Sequence, residues 1–145
     1  MFLKILGGIE MGRVLAIDYG LKRTGIAVTD PLGIIANPLT TIPTHELMNF
    51  IKEYFIKESV DKVIIGLPVN LENKSTDSTP HVLGFIKRLN KEIPGIIVET
   101  LDERFTSKIA KDSMILSGIT KKKRRDKSLV DKISATLILQ TYLGI

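Results

Sequence analysis

Arg13-Val14-Leu15-Ala16-Ile17-Asp18-Tyr19-Gly20-Leu21-Lys22-Arg23-Thr24-Gly25-Ile26-Ala27-Val28-Thr29 is the stretch that decides the fold. Its first half is a short apolar run closed by a carboxylate, the pattern of a buried strand that ends in a functional or turn-forming acid. Gly20 and Gly25 bracket a turn, and Ile26 to Thr29 read as the strand that returns. Asp30-Pro31-Leu32-Gly33 carries turn chemistry, so a third extended segment is expected over Ile34 to Thr41, with Pro38 confining it to a sheet edge. The three segments make an antiparallel meander.

Beyond the meander the hydrophobic period changes. Leu47, Ile51, Tyr54 and Phe55 recur on one helical face, with Thr44 placed to cap the helix start. A strand rich in Val and Ile follows at Lys62 to Leu67. Ser75 to Pro80 is a polar loop in which Thr79-Pro80 opens a second helix, with Val82, Phe85 or Ile86, and Leu89 on its apolar face. Pro94-Gly95 ends that helix. Ile96 to Leu101 is the fifth strand, a third helix is expected from near Thr106 to before Gly118, and a last helix from Leu129 to Leu143. Three antiparallel strands followed by alternating helix and strand predict an α/β fold: a mixed five-stranded sheet with helices packed on it. In such sheets functional residues collect at the carboxyl ends of the parallel strands.

The 145 residues suffice for one domain and leave no room for a second complete one. Residues 11–145 form the expected domain, with Met11 a candidate ancestral start and residues 1–10 an extension. With no cysteine, disulfides and thiolate metal sites are excluded, so any metal must be held by oxygen or histidine. His45 and His81 sit near helix starts and read as surface or capping residues. The excess of 21 Lys+Arg over 16 Asp+Glu gives a net charge of +5, which favours an anionic partner, nucleic acid first among them. No apolar run is long enough to cross a bilayer and the amino terminus lacks signal-peptide flanks, so a cytoplasmic protein is expected.

Four acids stand where a core would avoid them. Asp18 emerges at the tip of an apolar strand, where an uncompensated charge is costly to desolvate; a turn-forming Asp beside Tyr19-Gly20 is the plain alternative. Asp102 and Glu103 end the fifth strand in the same way, although a cap on the next helix and a pair with Arg104 would also account for them. Asp131 shares a helix face with Ser134, Ala135, Ile138 and Tyr142, a small apolar face suited to packing on the sheet. The spacing Ser128-Leu129-Val130-Asp131 equally fits a capping box. Carboxylates from strand one, strand five and this helix start would repel one another alone. Together they make a hard-oxygen cage for Mg²⁺ or Mn²⁺. Two such ions about 4 Å apart activate water and stabilise the leaving oxygen in phosphodiester cleavage.

Read in chain order, Asp18 to Ala27, then Gly66-Leu67-Pro68, then Asp102-Glu103-Arg104, then Asp131-Lys132-Ile133-Ser134-Ala135 resemble the YqgF family, also called RuvX-like. The resemblance spans Met11 to Ile145. It implies a ribonuclease H-like fold related to Holliday-junction resolvases and a metal-dependent nuclease that matures the 5′ end of precursor 16S ribosomal RNA. Carried over motif by motif, the family's catalytic, metal-holding acids fall on Asp18, Glu103 and Asp131, with Asp102 in reserve. Arg23 and Arg104 lie inside matched motifs, where they would contact phosphate, steady the acids or form structural salt bridges. Asn73 stands where the family has a Gly, and Ser134 replaces one of a pair of alanines.

Lys121-Lys122-Lys123-Arg124-Arg125-Asp126-Lys127 places six cations in seven residues just before the Asp131 helix. With Lys22, Arg23 and Arg104 they are the candidate phosphate contacts; a solvated loop is the alternative for the run. No aromatic-interleaved stripe of the kind that stacks single-stranded bases is present. Structured RNA is the favoured substrate, branched DNA its rival, and a non-catalytic nucleic-acid-binding module the competing reading from another class. A nucleotide site of the sugar-kinase or actin type would need a second comparable domain.

Overall fold

The computed structural model describes residues 4–5, 9–10, 12–67, 79–102 and 127–144. The main sheet has five strands: β3 (Arg13–Asp18), β4 (Arg23–Thr29), β5 (Ala36–Pro43), β6 (Val60–Leu67) and β7 (Ile97–Asp102). Their spatial order is β5-β4-β3-β6-β7. The first three are antiparallel to one another, while β6 runs parallel to β3 and β7 parallel to β6. This is the mixed sheet expected from the sequence. Two further short strands, β1 (Lys4–Ile5) and β2 (Ile9–Glu10), pair antiparallel within the amino-terminal extension, where no strand was anticipated.

The helices divide between the two faces. Helix α1 (Leu47–Lys57) and helix α2 (Thr79–Glu92) bury Leu47, Ile51, Val82, Phe85 and Leu89 against Leu15, Ile17, Ile26, Val28, Val63 and Ile65. The last helix, α3 (Lys127–Leu143), covers the opposite face, where Ala135, Ile138 and Leu139 meet Ala16, Ala27 and Ile64. Alternation along each strand dictates this division, since residues of one parity face one layer and those of the other parity face the second. Small residues on both sides, Ala16 and Ala27 from the sheet and Ser134 and Ala135 from the helix, let α3 settle close. Ser134 is buried there, as its small size allows.

Several boundaries differ from the sequence reading for identifiable reasons. The third strand starts at Ala36, not Ile34, because Asp30 Oδ1 accepts the backbone N–H groups of both Ile34 and Ile35, at 2.8 Å each, and holds them in the turn. These bonds keep the Asp30 carboxyl below its usual range, the Ile35 N–H contributing most. The fifth strand starts at Ile97, because Ile96 N–H is bonded to Ile93 O in the turn that ends α2. Thr44 does not cap α1: Thr44 to Glu46 form a 3₁₀ turn, and no side chain caps either start. The expected helix near Thr106, the Asn73 position, Glu103, Arg104 and the basic run Lys121 to Arg125 lie outside the described residues. Among the described residues no helix is long and apolar enough to cross a membrane.

Candidate active site

Asp18 is the last residue of β3, and its parity is that of Ala16, so its side chain leaves the sheet on the α3 face. Its antiparallel partner is Gly25. A Cβ built at Gly25 would collide with the carbonyl oxygen of Asp131, and would lie 2.5 Å from the Asp131 carbonyl carbon and 3.1 Å from its Cβ. Glycine is therefore what allows the second turn of α3 to rest on the sheet beside Asp18. Directly opposed residues of an antiparallel pair have Cβ atoms about 5 Å apart, so the Cβ atoms of Asp18 and Asp131 lie within about 9 Å of each other. Two acids more than a hundred residues apart in sequence thus share one rim and one face.

The start of α3 also removes the capping reading of Asp131. The helix begins at Lys127, two residues earlier than expected, and its first turn holds no acid. Asp131 falls in the second turn, too far in for the capping-box role that required Ser128 as the cap. Its Oδ2 instead accepts a bond from Arg23 Nε at 3.3 Å. Of the three roles open to Arg23, this contact is an ion pair with a candidate metal ligand.

The parity of β7 fixes the face that Asp102 takes. Asp102 is paired with Leu67, which packs in the α1–α2 layer, and has the parity of Val98 in that same layer. It therefore leaves the sheet on the face opposite Asp18. Glu99 and Leu101 have the other parity: Glu99 accepts from Tyr142 of α3 at 3.2 Å, and Leu101 packs in the α3 layer. Glu103 is one residue beyond the described strand. Among the described residues no three His, Cys, Asp or Glu side chains come together as a metal-sized cluster. The donor set that is described, Asp18 and Asp131, is all carboxylate, which suits a hard divalent cation.

The loop after Asp18 is held from a distance. Thr44 Oγ1 donates to Gly20 O at 2.6 Å, Thr44 N–H donates to Lys22 O at 2.9 Å, and the Thr44 and Thr24 hydroxyls are 2.9 Å apart. Thr24 is fully buried. One threonine just past the end of β5 thus ties the turn after the candidate ligand at both Gly20 and Lys22. Sequence reasoning placed Thr44 near a helix start but had no local signal that its hydroxyl is spent twenty-four residues upstream. Lys22 itself is exposed.

The family model described as "RuvX: Holliday junction resolvase" matches residues 12–144. The chain belongs to the RuvX family. Two curated relatives carry the name "Putative pre-16S rRNA nuclease". That of Bacteroides thetaiotaomicron is 54% identical over 133 residues, covering 92% of this chain and 96% of the relative. That of Christiangramia forsetii is 53% identical over 133 residues, covering 92% and 98%. Among solved structures, T. thermophilus RuvC in complex with a Holliday junction substrate aligns over 92% of this chain and 96% of that one, with a TM-score of 0.55 and 18% identity. A second Thermus thermophilus RuvC structure gives a TM-score of 0.51 at 16% identity. At such identity the likeness concerns the fold, which is the ribonuclease H-like fold of RuvC. RuvX is a nuclease family by the description of its model and by the names of these relatives, and the nucleic-acid partner expected from the charge balance accords with that.

Proposed function

We propose that this RuvX protein is a metal-dependent endonuclease in which Asp18, Glu103 and Asp131 hold Mg²⁺ or Mn²⁺. The observation that carries the reading is the glycine at position 25, which seats Asp131 beside Asp18 on one face of the sheet. Glu103 is the third member proposed because the family resemblance puts a catalytic acid there; Asp102, which leaves the sheet on the face opposite Asp18, is not. Bound divalent ions would supply an activated water and charge neutralisation for phosphodiester hydrolysis. The chain's own contribution is to fix the acids: Arg23 orients Asp131, and Thr44 stiffens the turn behind Asp18. Lys22, Arg104 and the run Lys121, Lys122, Lys123, Arg124 and Arg125 are the proposed phosphate contacts, consistent with the net charge of +5.

The substrate we favour is precursor 16S ribosomal RNA, cut during 5′-end maturation in the cytoplasm, because relatives above 50% identity over nearly their whole length bear that name. Branched DNA is the second reading, favoured by the description of the family model and by the RuvC fold. A panel of labelled precursor rRNA and four-way junctions, incubated with and without Mg²⁺ or Mn²⁺, separates them. Metal-dependent cutting of the precursor that vanishes in Asp18→Asn is expected. Equal cutting by Asp18→Asn would overturn the assignment, and salt-dependent binding indifferent to metal and to the acids would instead indicate a non-catalytic module.

A further inference from the structure

On the other side of the same rim lies a feature the nuclease reading does not use. Tyr19 follows Asp18 directly, their Cα atoms being about 3.8 Å apart, but it belongs to the opposite layer. Its ring packs on Phe85 of α2 at 5.4 Å between centroids, inclined by 37°. Between the loop after Asp18, the start of α1 and the face of α2 opens a recess of about 260 Å³. Tyr19, Phe85 and Met48 line it, the last two almost fully buried. Leu21, 55% exposed, stands at its lip. His45 and Arg88 line it as well, with side chains 82% and 63% exposed. Arg88 is braced by Glu92, whose Oε2 accepts from Arg88 Nε at 3.1 Å.

The geometry points to this recess as a subsite for one unpaired nucleotide of the substrate strand, its base against Tyr19 and Leu21 and its phosphate toward Arg88 and His45. The inference rests on the nuclease reading and adds what that site selects. The partly exposed Tyr19 ring suits a flat base, and a rim carrying a guanidinium and an imidazole suits the attached phosphate. The volume lies just under the range of about 300–1,000 Å³ typical of drug-sized ligands, which matches a single nucleotide better than an extended chain. A base stacked within a duplex cannot enter without being flipped out. Because Thr44 ties the loop at Gly20 and Lys22, a nucleotide seated here fixes the strand relative to Asp18. The consequence is a preference for substrates with single-stranded nucleotides flanking the cut.

The test reads binding by the Asp18→Asn protein, so it does not depend on cleavage. Fluorescence anisotropy compares a blunt RNA duplex, the same duplex with a single-stranded overhang, and overhangs carrying one abasic nucleotide at each position in turn. The overhang is expected to bind more tightly than the blunt duplex, and one abasic position is expected to weaken binding about tenfold. That abasic penalty should shrink to less than threefold in Asp18→Asn/Tyr19→Leu and in Asp18→Asn/Leu21→Ser, the second being a surface change that leaves the core untouched. Arg88→Gln should weaken overhang binding several-fold more than Lys57→Gln, an equal loss of charge at the end of α1. A flat abasic scan, a penalty unchanged in both double variants, or equal binding of blunt and overhang duplexes would overturn the subsite. Absence of cleavage by the wild type with the scan as predicted would instead strike the nuclease reading alone.

Discussion

Replacing Gly25 with Ala should inactivate the enzyme by moving one helix about an ångström. The added methyl would stand 2.5 Å from the Asp131 carbonyl carbon, and ordinary contact begins near 3.4 Å. The obstacle is backbone, not the end of a flexible side chain, so α3 must back off the sheet by about 1 Å. Overpacking of this kind costs about 1–3 kcal/mol. For a domain of this size that lowers Tm by about 4–12 °C. The catalytic effect should be larger, since a 1 Å displacement of a reacting group costs on the order of 100-fold in rate. Thermal melting followed by circular dichroism, with kcat at saturating metal, measures both. Gly84→Ala is the matched control: a Cβ there meets nothing within 4 Å on an exposed helix face. It should stabilise by about 0.5–1 kcal/mol and leave cleavage within about twofold. If Gly25→Ala cuts as fast as the wild type, Asp131 is not held in place for chemistry and the reasoning fails.

Thr44→Val removes the bonds to Gly20 and Thr24 while keeping the shape; we expect a loss of about 1–2 kcal/mol by chemical denaturation and about tenfold in kcat/KM, and an unchanged kcat/KM would show that the turn needs no tether. Arg23→Gln should lower kcat about tenfold yet shift stability by less than about 1 kcal/mol, because the pair is partly solvent-exposed; Arg23→Lys should recover part of the rate, and full activity in Arg23→Gln would make the pair ornamental. The pH dependence of stability has a definite sign. Glu99 is held below its ordinary 4.5 by the Lys62 ammonium at 2.8 Å, aided by the Tyr142 hydroxyl, so its contribution is present above that value and is lost as pH falls through and below it. Lys62 is raised above its ordinary 10.5 by Glu99 first and Tyr142 second, so its contribution is complete below that value and is lost as pH rises beyond it. Urea melts across pH should therefore show Glu99→Gln flattening the acid side of the curve; an unaltered acid limb would mean the pair does not anchor α3.

The sheet was readable because β3, β4 and β6 each hold a short, nearly unbroken apolar run, closed in β3 by Asp18, and burial leaves such runs few alternatives. Ser134, Ala135 and Ile138 likewise announced the buried face of α3, since a small apolar stripe has little use in water. What could not be read turned on single-residue registers and distant partners. Which face Asp102 takes depends on parity, and a strand read as Ile96 to Leu101 stops one residue short of it. Parity here is fixed by pairing with β6, which no local pattern encodes. The acceptance of two backbone N–H groups by Asp30 delayed β5, and a start of α3 two residues early carried Asp131 out of its capping position. Thr44 looked like a helix cap because Thr favours such sites; competition from Gly20 O and Thr24 took its hydroxyl elsewhere. Arg23 carries no mark in sequence that distinguishes a bond to Asp131 from one to phosphate.

The central claim is that Asp18, Glu103 and Asp131 share a metal while Asp102, one residue from Glu103, does not. Calorimetric titration of Mn²⁺ into the wild type, Asp18→Asn, Glu103→Gln, Asp131→Asn and Asp102→Asn tests it directly. The account predicts saturable binding in the wild type and in Asp102→Asn, and its loss in the other three. Binding lost in Asp102→Asn and kept in Glu103→Gln would contradict it.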